Sequence, residues 1–183
     1  MEILNTGIEG LVQIIPSIYF DKRGWFHEFF KASNLKPITG GIEFQQDNIS
    51  FSPKNVLRGL HLQLHPSAQA KLVTVIAGSV IDVVVDMRKG SPTFGRPYQV
   101  ELNSTIKNIL FIPEGFAHGF SALEESLFFY KCSKEYNPAH ETGIIWNDPD
   151  LKIDWQMTDP ILSDKDKLLP TFQELLRKSV ISR

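Results

Sequence analysis

Residues 57–73 read LRGLHLQLHPSAQAKLV, and His61, His65 and Lys71 bring titratable groups into an otherwise apolar stretch. Imidazole changes charge near neutrality and serves as a general base or a metal ligand. An ammonium at the head of an apolar strand must reach a mouth, a cavity or a carboxylate. Metal binding, acid–base work and a structural hydrogen bond are therefore all open for His61. His65 precedes Pro66 and suits a solvated turn.

As an acid–base group, His61 needs a carboxylate to fix its tautomer and stabilise the imidazolium. Asp47, Asp82, Asp86 and Asp166 are the candidates, and spacing alone does not choose among them. Arg23 and Arg58 could clamp phosphate oxygens through bidentate guanidinium contacts, with surface ion pairs as the ordinary alternative. Tyr130 and Tyr136 default to core packing, with proton donation or ring stacking as the sharper readings. Lys165 and Asp166, within LSDKDK, suit a solvated charge run equally well.

A second constellation, IPEGFAHGF at 112–120, sets His118 behind a Pro-x-Gly turn. This P-x-G-x-x-H pattern resembles the second half of the cupin signature, whose histidine often binds a metal. The cupin first half carries an H-x-H pair and a following glutamate. Here that region reads His61-Leu62-Gln63 with no glutamate close behind, a poor ligand set for a transition metal.

The elements that must position these groups read as short strands. Trp25–Phe30 and Phe44–Phe51 alternate two faces, and further strands are expected near 97–103, 108–112, 118–123, 126–134 and 142–146. KLVTVIAGSVIDVVVDMR, 71–88, reads as a hairpin turning at Ala77-Gly78-Ser79, with Asp82, Val84 and Asp86 on one face of its second arm. Many short strands argue for a sandwich or closed barrel. Thr171-Phe-Gln-Glu174 is a capping-box pattern opening a short C-terminal helix with Phe172, Leu175 and Leu176 at helical spacing.

The 183 residues suit a single domain spanning 1–183, 42% hydrophobic and 22% charged. A formal charge of −2, spread over both signs, speaks against wrapping nucleic acid. No run approaches the ~20 apolar residues of a membrane span. With one cysteine, Cys132, and no signal-peptide pattern in MEILNTGIEG, a cytoplasmic setting is expected.

Nine segments in order resemble the dTDP-4-dehydrorhamnose 3,5-epimerases of the cupin fold: DKRGWFHEFF, FQQDNIS, VLRGLHLQ, AQAKLV, DMRKGSPTFG, IPEGFAHGF, YKCSKEYNP, WNDP and LSDKD. The resemblance implies a cupin-type jelly-roll barrel, a thymidine diphosphate 4-keto-6-deoxy sugar as substrate, and enolate chemistry with neither metal nor cofactor. It implies that His61 removes the proton with support from Asp166, that Lys71 stabilises the enolate oxygen, and that Tyr130 returns a proton from the opposite face. Arg23, Glu28, Gln46, Asp47, Asn48, Arg58, His118, Glu141 and Lys165 would contact the nucleotide sugar, with Tyr136 stacking on thymine. The family also implies a homodimer with exchanged strands and site residues drawn from the partner. Two departures, Leu62 where many relatives carry an aromatic and Ile49 where they carry a histidine, bear on pocket shape. An epimerase acting at C3 or C5 alone, or a ketoisomerase, is the alternative within the same chemistry. A metal-dependent cupin oxygenase and a non-catalytic sugar-binding cupin are the alternatives outside it.

Overall fold

The computed structural model describes residues 1–178. Four strands come first: β1 (Glu2–Asn5), β2 (Val12–Ile15), β3 (Tyr19–Asp21) and β4 (Gly24–Phe26). Helix α1 (Ala32–Thr39) follows, then β5 (Gln46–Ser52), β6 (Leu57–Gln63), β7 (Lys71–Ala77) and β8 (Ser79–Asp86). The remaining strands are β9 (Pro97–Asn103), β10 (Ile109–Ile112), β11 (Phe116–Ala122), β12 (Ser126–Cys132) and β13 (Glu141–Gly143). Helices α2 (Asp164–Lys167) and α3 (Phe172–Arg177) close the described chain.

A six-stranded antiparallel sheet runs β1-β2-β10-β7-β12-β5, and a five-stranded one runs β13-β6-β11-β8-β9. They pack as the two walls of a cupin-like jelly roll. The β3–β4 hairpin stands apart as its own two-stranded sheet.

The hairpin expected at 71–88 is corrected. Strands β7 and β8 both form, but β7 pairs with β10 and β12, whereas β8 pairs with β11 and β9. Gly78 instead carries the chain from one sheet to the other at φ +84°, and a Cβ there would lie 2.2 Å from the Glu125 carbonyl oxygen. Local sequence is the same for a hairpin and a sheet-crossing corner, because both need a residue free to take positive φ. The strand expected over 25–30 is shorter too: β4 ends at Phe26, and the chain turns away toward α1.

Three apolar clusters follow from this layering. Val73, Val75, Val80, Val84, Phe120 and Phe128 fill the barrel interior. Val83 and Val85, on the other face of β8, pack with Leu60, Leu62, Trp155 and Leu175 under the C-terminal segment. Ile14, Leu72 and Phe111 face Leu35 of α1. Every residue of β8 is buried, since both of its faces are covered. The α3 capping box forms as expected, with Thr171 Oγ1 accepting from the Glu174 N–H and the Glu174 carboxylate accepting from the Thr171 N–H.

At the end of β8, Asp86 organises the DMRKGSPT turn. Its oxygens accept from Arg88 Nε at 2.9 Å, Arg88 Nη2 at 2.8 Å, Ser91 Oγ at 2.6 Å and Thr93 Oγ1 at 2.7 Å. Burial alone would push this carboxyl up; these donors outweigh it and hold the pKa at about 2. A carboxyl depressed on folding contributes stability above its unfolded pKa and loses it as pH falls through the folded value. The contribution is about 2 kcal/mol, present above roughly pH 4 and lost toward pH 2. Asp86→Asn is therefore expected to be less stable at neutral pH by at least that amount in denaturant unfolding. It should also lose less further stability between pH 4 and 2 than the unsubstituted protein. An equal acid loss in both proteins would remove Asp86 as its source.

Candidate active site

His61 lies on β6, and its Nε2 is 2.7 Å from Asp166 Oδ1. Asp166 is placed from a distant part of the chain by α2, whose N-cap Ser163 Oγ accepts the Asp166 N–H at 3.1 Å. The second carboxylate oxygen accepts the Gly59 N–H at 3.3 Å, so the acid is tied to the same strand as the imidazole it meets. Burial would raise the Asp166 carboxyl, but the hydrogen bond and charge of His61, with the Gly59 N–H, hold it below the usual range. An ionised Asp166 directs a proton onto His61 Nε2 and leaves Nδ1 as the basic nitrogen.

The partner strand β11 sets His118 directly across from His61 in register. Two glycines make this approach possible. A Cβ on Gly59 would lie 2.6 Å from Gly119 Cα, and one on Gly119 would lie 2.5 Å from the Arg58 carbonyl oxygen. His118 Nε2 is 2.8 Å from Asp82 Oδ2 on β8, so the interior holds two His–Asp pairs. Of the four acids weighed for His61, Asp166 meets it, Asp82 meets His118, and Asp86 and Asp47 bond elsewhere.

The facing wall brings Lys71 and Tyr130. Lys71 opens β7 and pairs in register with Cys132, while Tyr130, two residues back on β12, pairs with Val73. Period-two alternation thus turns Lys71, Val73, Tyr130 and Phe128 toward one interior. Burial pulls the Lys71 ammonium down in pKa, and Cys132, Asp82 and Glu141 act against that pull. Burial pushes the Tyr130 phenol up, Cys132 and Glu141 add to the rise, and Arg58 acts against it. Phe128 packs beside Tyr130 and His118, 5.9 Å and 6.1 Å between ring centroids.

A polar cluster flanks the mouth. Tyr136 Oη donates to Glu141 Oε2 at 2.6 Å, and the Lys165 ammonium pairs with the same oxygen. Gln46 Oε1 accepts the Tyr136 N–H at 2.7 Å, and its amide donates to Asn48 Oδ1 at 2.9 Å. Arg58 is anchored to β5 through Ser52 Oγ at 3.1 Å and the Phe51 carbonyl at 3.1 Å. Gln46, Asn48, Tyr136, Glu141 and Lys165 thus form one hydrogen-bonded cluster, His118 lies in register with His61, and Arg58 shares its strand.

Three expected contacts stand outside this cluster. Asp47 sits on the opposite face of β5 from Gln46 and Asn48 and pairs with Lys131 at 2.6 Å, because adjacent strand residues point to opposite sides. Arg23, on the β3–β4 hairpin, is 84% exposed and pairs with Asp21. Glu28 pairs with Lys31 at 3.6 Å. The two departures also lie outside the cavity: Leu62 is in the cluster beneath the C-terminal segment, and Ile49 is on the outward face of β5. The role of Gln63 escaped the sequence reading: its Oε1 accepts the Asn137 N–H at 3.1 Å and anchors the turn bearing Tyr136. Its position two residues after His61, on the same strand face, was the available signal. Among the described residues, no three His, Cys, Asp or Glu side chains converge as a metal set.

The family model for dTDP-4-dehydrorhamnose 3,5-epimerase matches residues 5–174. A dTDP-4-dehydrorhamnose 3,5-epimerase of Shigella flexneri is 46% identical over 168 residues, covering 91% of this chain and 93% of the relative. The crystal structure of the Legionella pneumophila dTDP-6-deoxy-D-glucose-3,5-epimerase with dTDP-4-keto-L-rhamnose superposes with a TM-score of 0.92 at 44% identity, covering 98% of this chain and 96% of that one. A 3′-monoepimerase from Streptomyces bikiniensis in complex with dTDP-quinovose is more distant, at 35% identity and TM-score 0.89, covering 94% of this chain and 89% of that one. With its barrel, its paired histidines and a match along nearly its whole described length, this chain belongs to the dTDP-4-dehydrorhamnose 3,5-epimerase family.

Proposed function

We propose that the protein inverts C3 and C5 of dTDP-4-dehydro-6-deoxy-D-glucose, a step toward dTDP-L-rhamnose, with His61 as base and Tyr130 as acid. The observation that carries the assignment of roles is their placement on opposite walls of one interior. His61 stands on the five-stranded sheet and Tyr130 on the six-stranded sheet, with Lys71 beside the latter.

The C4 ketone acidifies the protons at C3 and C5. His61 Nδ1 takes one of them, and the imidazolium formed is stabilised by Asp166. The C–H electron pair moves into the ring and the carbonyl pair onto the C4 oxygen, where the Lys71 ammonium meets the developing charge. The Tyr130 phenol delivers a proton to the same carbon from the other face, which inverts it. Solvent restores both groups, and the cycle repeats at the second carbon. The Tyr136–Glu141–Lys165 cluster and Arg58 suit the nucleotide end, with an aromatic face and cations for the diphosphate.

The outward-facing chain supports a dimer. Tyr19, Phe20, Trp25 and Phe26 of the hairpin are all more than half exposed, as are Ile49, Phe51 and Ile76 on the outer face of the six-stranded sheet. Contiguous apolar surface of this kind marks an interaction site. Strand exchange through the hairpin would carry Arg23 and Glu28 toward the partner's site, which accounts for their distance from His61 within one chain. The cytoplasm supplies both the reducing conditions suited to Cys132 and the nucleotide-sugar substrate.

Incubation with the 4-keto-6-deoxy nucleotide sugar in D₂O tests the reaction. Deuterium is expected at both C3 and C5 by mass spectrometry and NMR. Label at one carbon alone would replace the double epimerase with the single-position reading, and no label would remove the enzyme assignment for this substrate.

A further inference from the structure

Two charged groups of the barrel interior are left incompletely satisfied. Asp82 is fully buried; Oδ2 meets His118, whereas Oδ1 is buried with no hydrogen-bond partner. Lys71 enters the same interior from the facing sheet and makes neither a hydrogen bond nor an ion pair among the described residues. A buried carboxylate oxygen without a partner is unfavourable, and half-buried Lys71 is the unpaired cation that enters the same interior. We propose that Asp82, oriented by His118, is the positioning carboxylate that keeps Lys71 protonated inside the barrel. The catalytic consequence rests on the reading of Lys71 as the enolate's partner.

The other groups facing Lys71 cannot do this as well. Strand β10, paired alongside Lys71, carries only Ile109, Leu110, Phe111 and Ile112. On β12, burial pushes the Cys132 thiol up in pKa, so it stays neutral despite Lys71, and the Tyr130 phenol is pushed up likewise. On β13, Glu141 already holds Tyr136 and Lys165 on one oxygen. Asp166, from α2, is taken by His61 and the Gly59 N–H. Asp82 is the carboxylate with a buried oxygen still without a partner among the described residues.

His118 does not cancel that charge. Burial drives its imidazole toward the neutral form; Asp82 opposes this, and the charges of Lys71 and His61 reinforce it. The neutral ring donates Nε2–H to Asp82 Oδ2, which fixes both the tautomer and the carboxylate's orientation. Oδ1 then remains as a fixed negative pole within the chamber that Lys71 enters. Such a pole matters because a neutral amine would give the enolate oxygen no charge to bind.

The test is a pH titration of the full-length protein carrying ¹³Cε-labelled lysine, followed by NMR, with Lys71→Arg assigning the Lys71 signal. In the unsubstituted protein Lys71 is expected to stay protonated at pH 7, and loss of its proton below that pH overturns the proposal without need of any variant. Asp82→Asn should lower the Lys71 midpoint by at least one pH unit, a tenfold weakening of proton binding. Asp82→Glu, which keeps the charge, should retain most of it. An unmoved midpoint in a folded Asp82→Asn protein overturns the proposal. The alkaline limb of the solvent-exchange profile should shift to lower pH by the same interval. If the midpoint moves and that limb does not, the Asp82–Lys71 pairing stands and Lys71 loses its place in the reaction.

Discussion

Replacing His61 with alanine is expected to abolish deuterium incorporation at both C3 and C5, with dTDP affinity held within about twofold. Positioned general bases contribute on the order of 10²–10⁴ in rate. The loss should reach at least the upper end here, because nothing nearby replaces the base. His118, in register across the strand pair, is a weaker base, because burial and the Lys71 charge pull its pKa down. Asp166 would be left beside the gap, still tied by one oxygen to the Gly59 N–H. Binding should survive because the candidate nucleotide contacts, Tyr136, Glu141, Lys165 and Arg58, are anchored through Gln46, Gln63, Ser52 and the Phe51 carbonyl rather than through His61. Exchange measured by NMR alongside calorimetric titration with dTDP separates these effects. Unchanged exchange would remove His61 as the base; lost binding would recast it as a structural residue.

The largest effect on folding is expected from Gly59→Ala. Gly59 has φ +109°, a region that L side chains rarely occupy, so the substitution is strained whatever space is available. There is also no space: the added Cβ would meet Gly119 Cα at 2.6 Å and the His118 carbonyl oxygen at 2.7 Å, both backbone atoms of the paired strand. Relief requires β6 and β11 to separate, which breaks the His61–His118 register and draws the Gly59 N–H from Asp166. A loss of more than about 3 kcal/mol is expected, the scale of backbone strain combined with core overpacking. Denaturant unfolding measures it. The neighbouring change Ser67→Ala, at a position that bonds His140 on a different loop, should cost far less. Comparable stabilities for the two variants would show that the β6–β11 contact yields without penalty.

Much of the local structure was legible in the chain. Alternation placed β5, β9 and β11–β12 close to their observed limits, and the Thr171–Glu174 capping box formed as its spacing required. These are features of period and of short-range hydrogen bonding, which are written into neighbouring residues. The 71–88 segment shows where that legibility stops. Two β-branched arms around Gly78 are compatible with pairing to each other or to other strands. The alternative partners, β10 and β12 for one arm and β11 and β9 for the other, come from residues 97–132.

The site divides along the same line. The order of motifs alone carried the family resemblance, and with it the expectation that His61, Lys71, Tyr130 and Asp166 belong together. Residue types at the sequence level left four acids open for His61. The tertiary structure gave Asp166 to His61 across 105 positions and Asp82 to His118 across 36. It also set Asp47 on the outer face while its neighbours Gln46 and Asn48 face inward. Hydrogen-bond partners at such separations depend on which strands pair and which faces meet, and these are set by burial of the whole apolar pattern rather than by any one segment. In LRGLHLQLHPSAQAKLV the sequence determined which side chains could do chemistry; only the closed barrel decided which carboxylate each histidine holds.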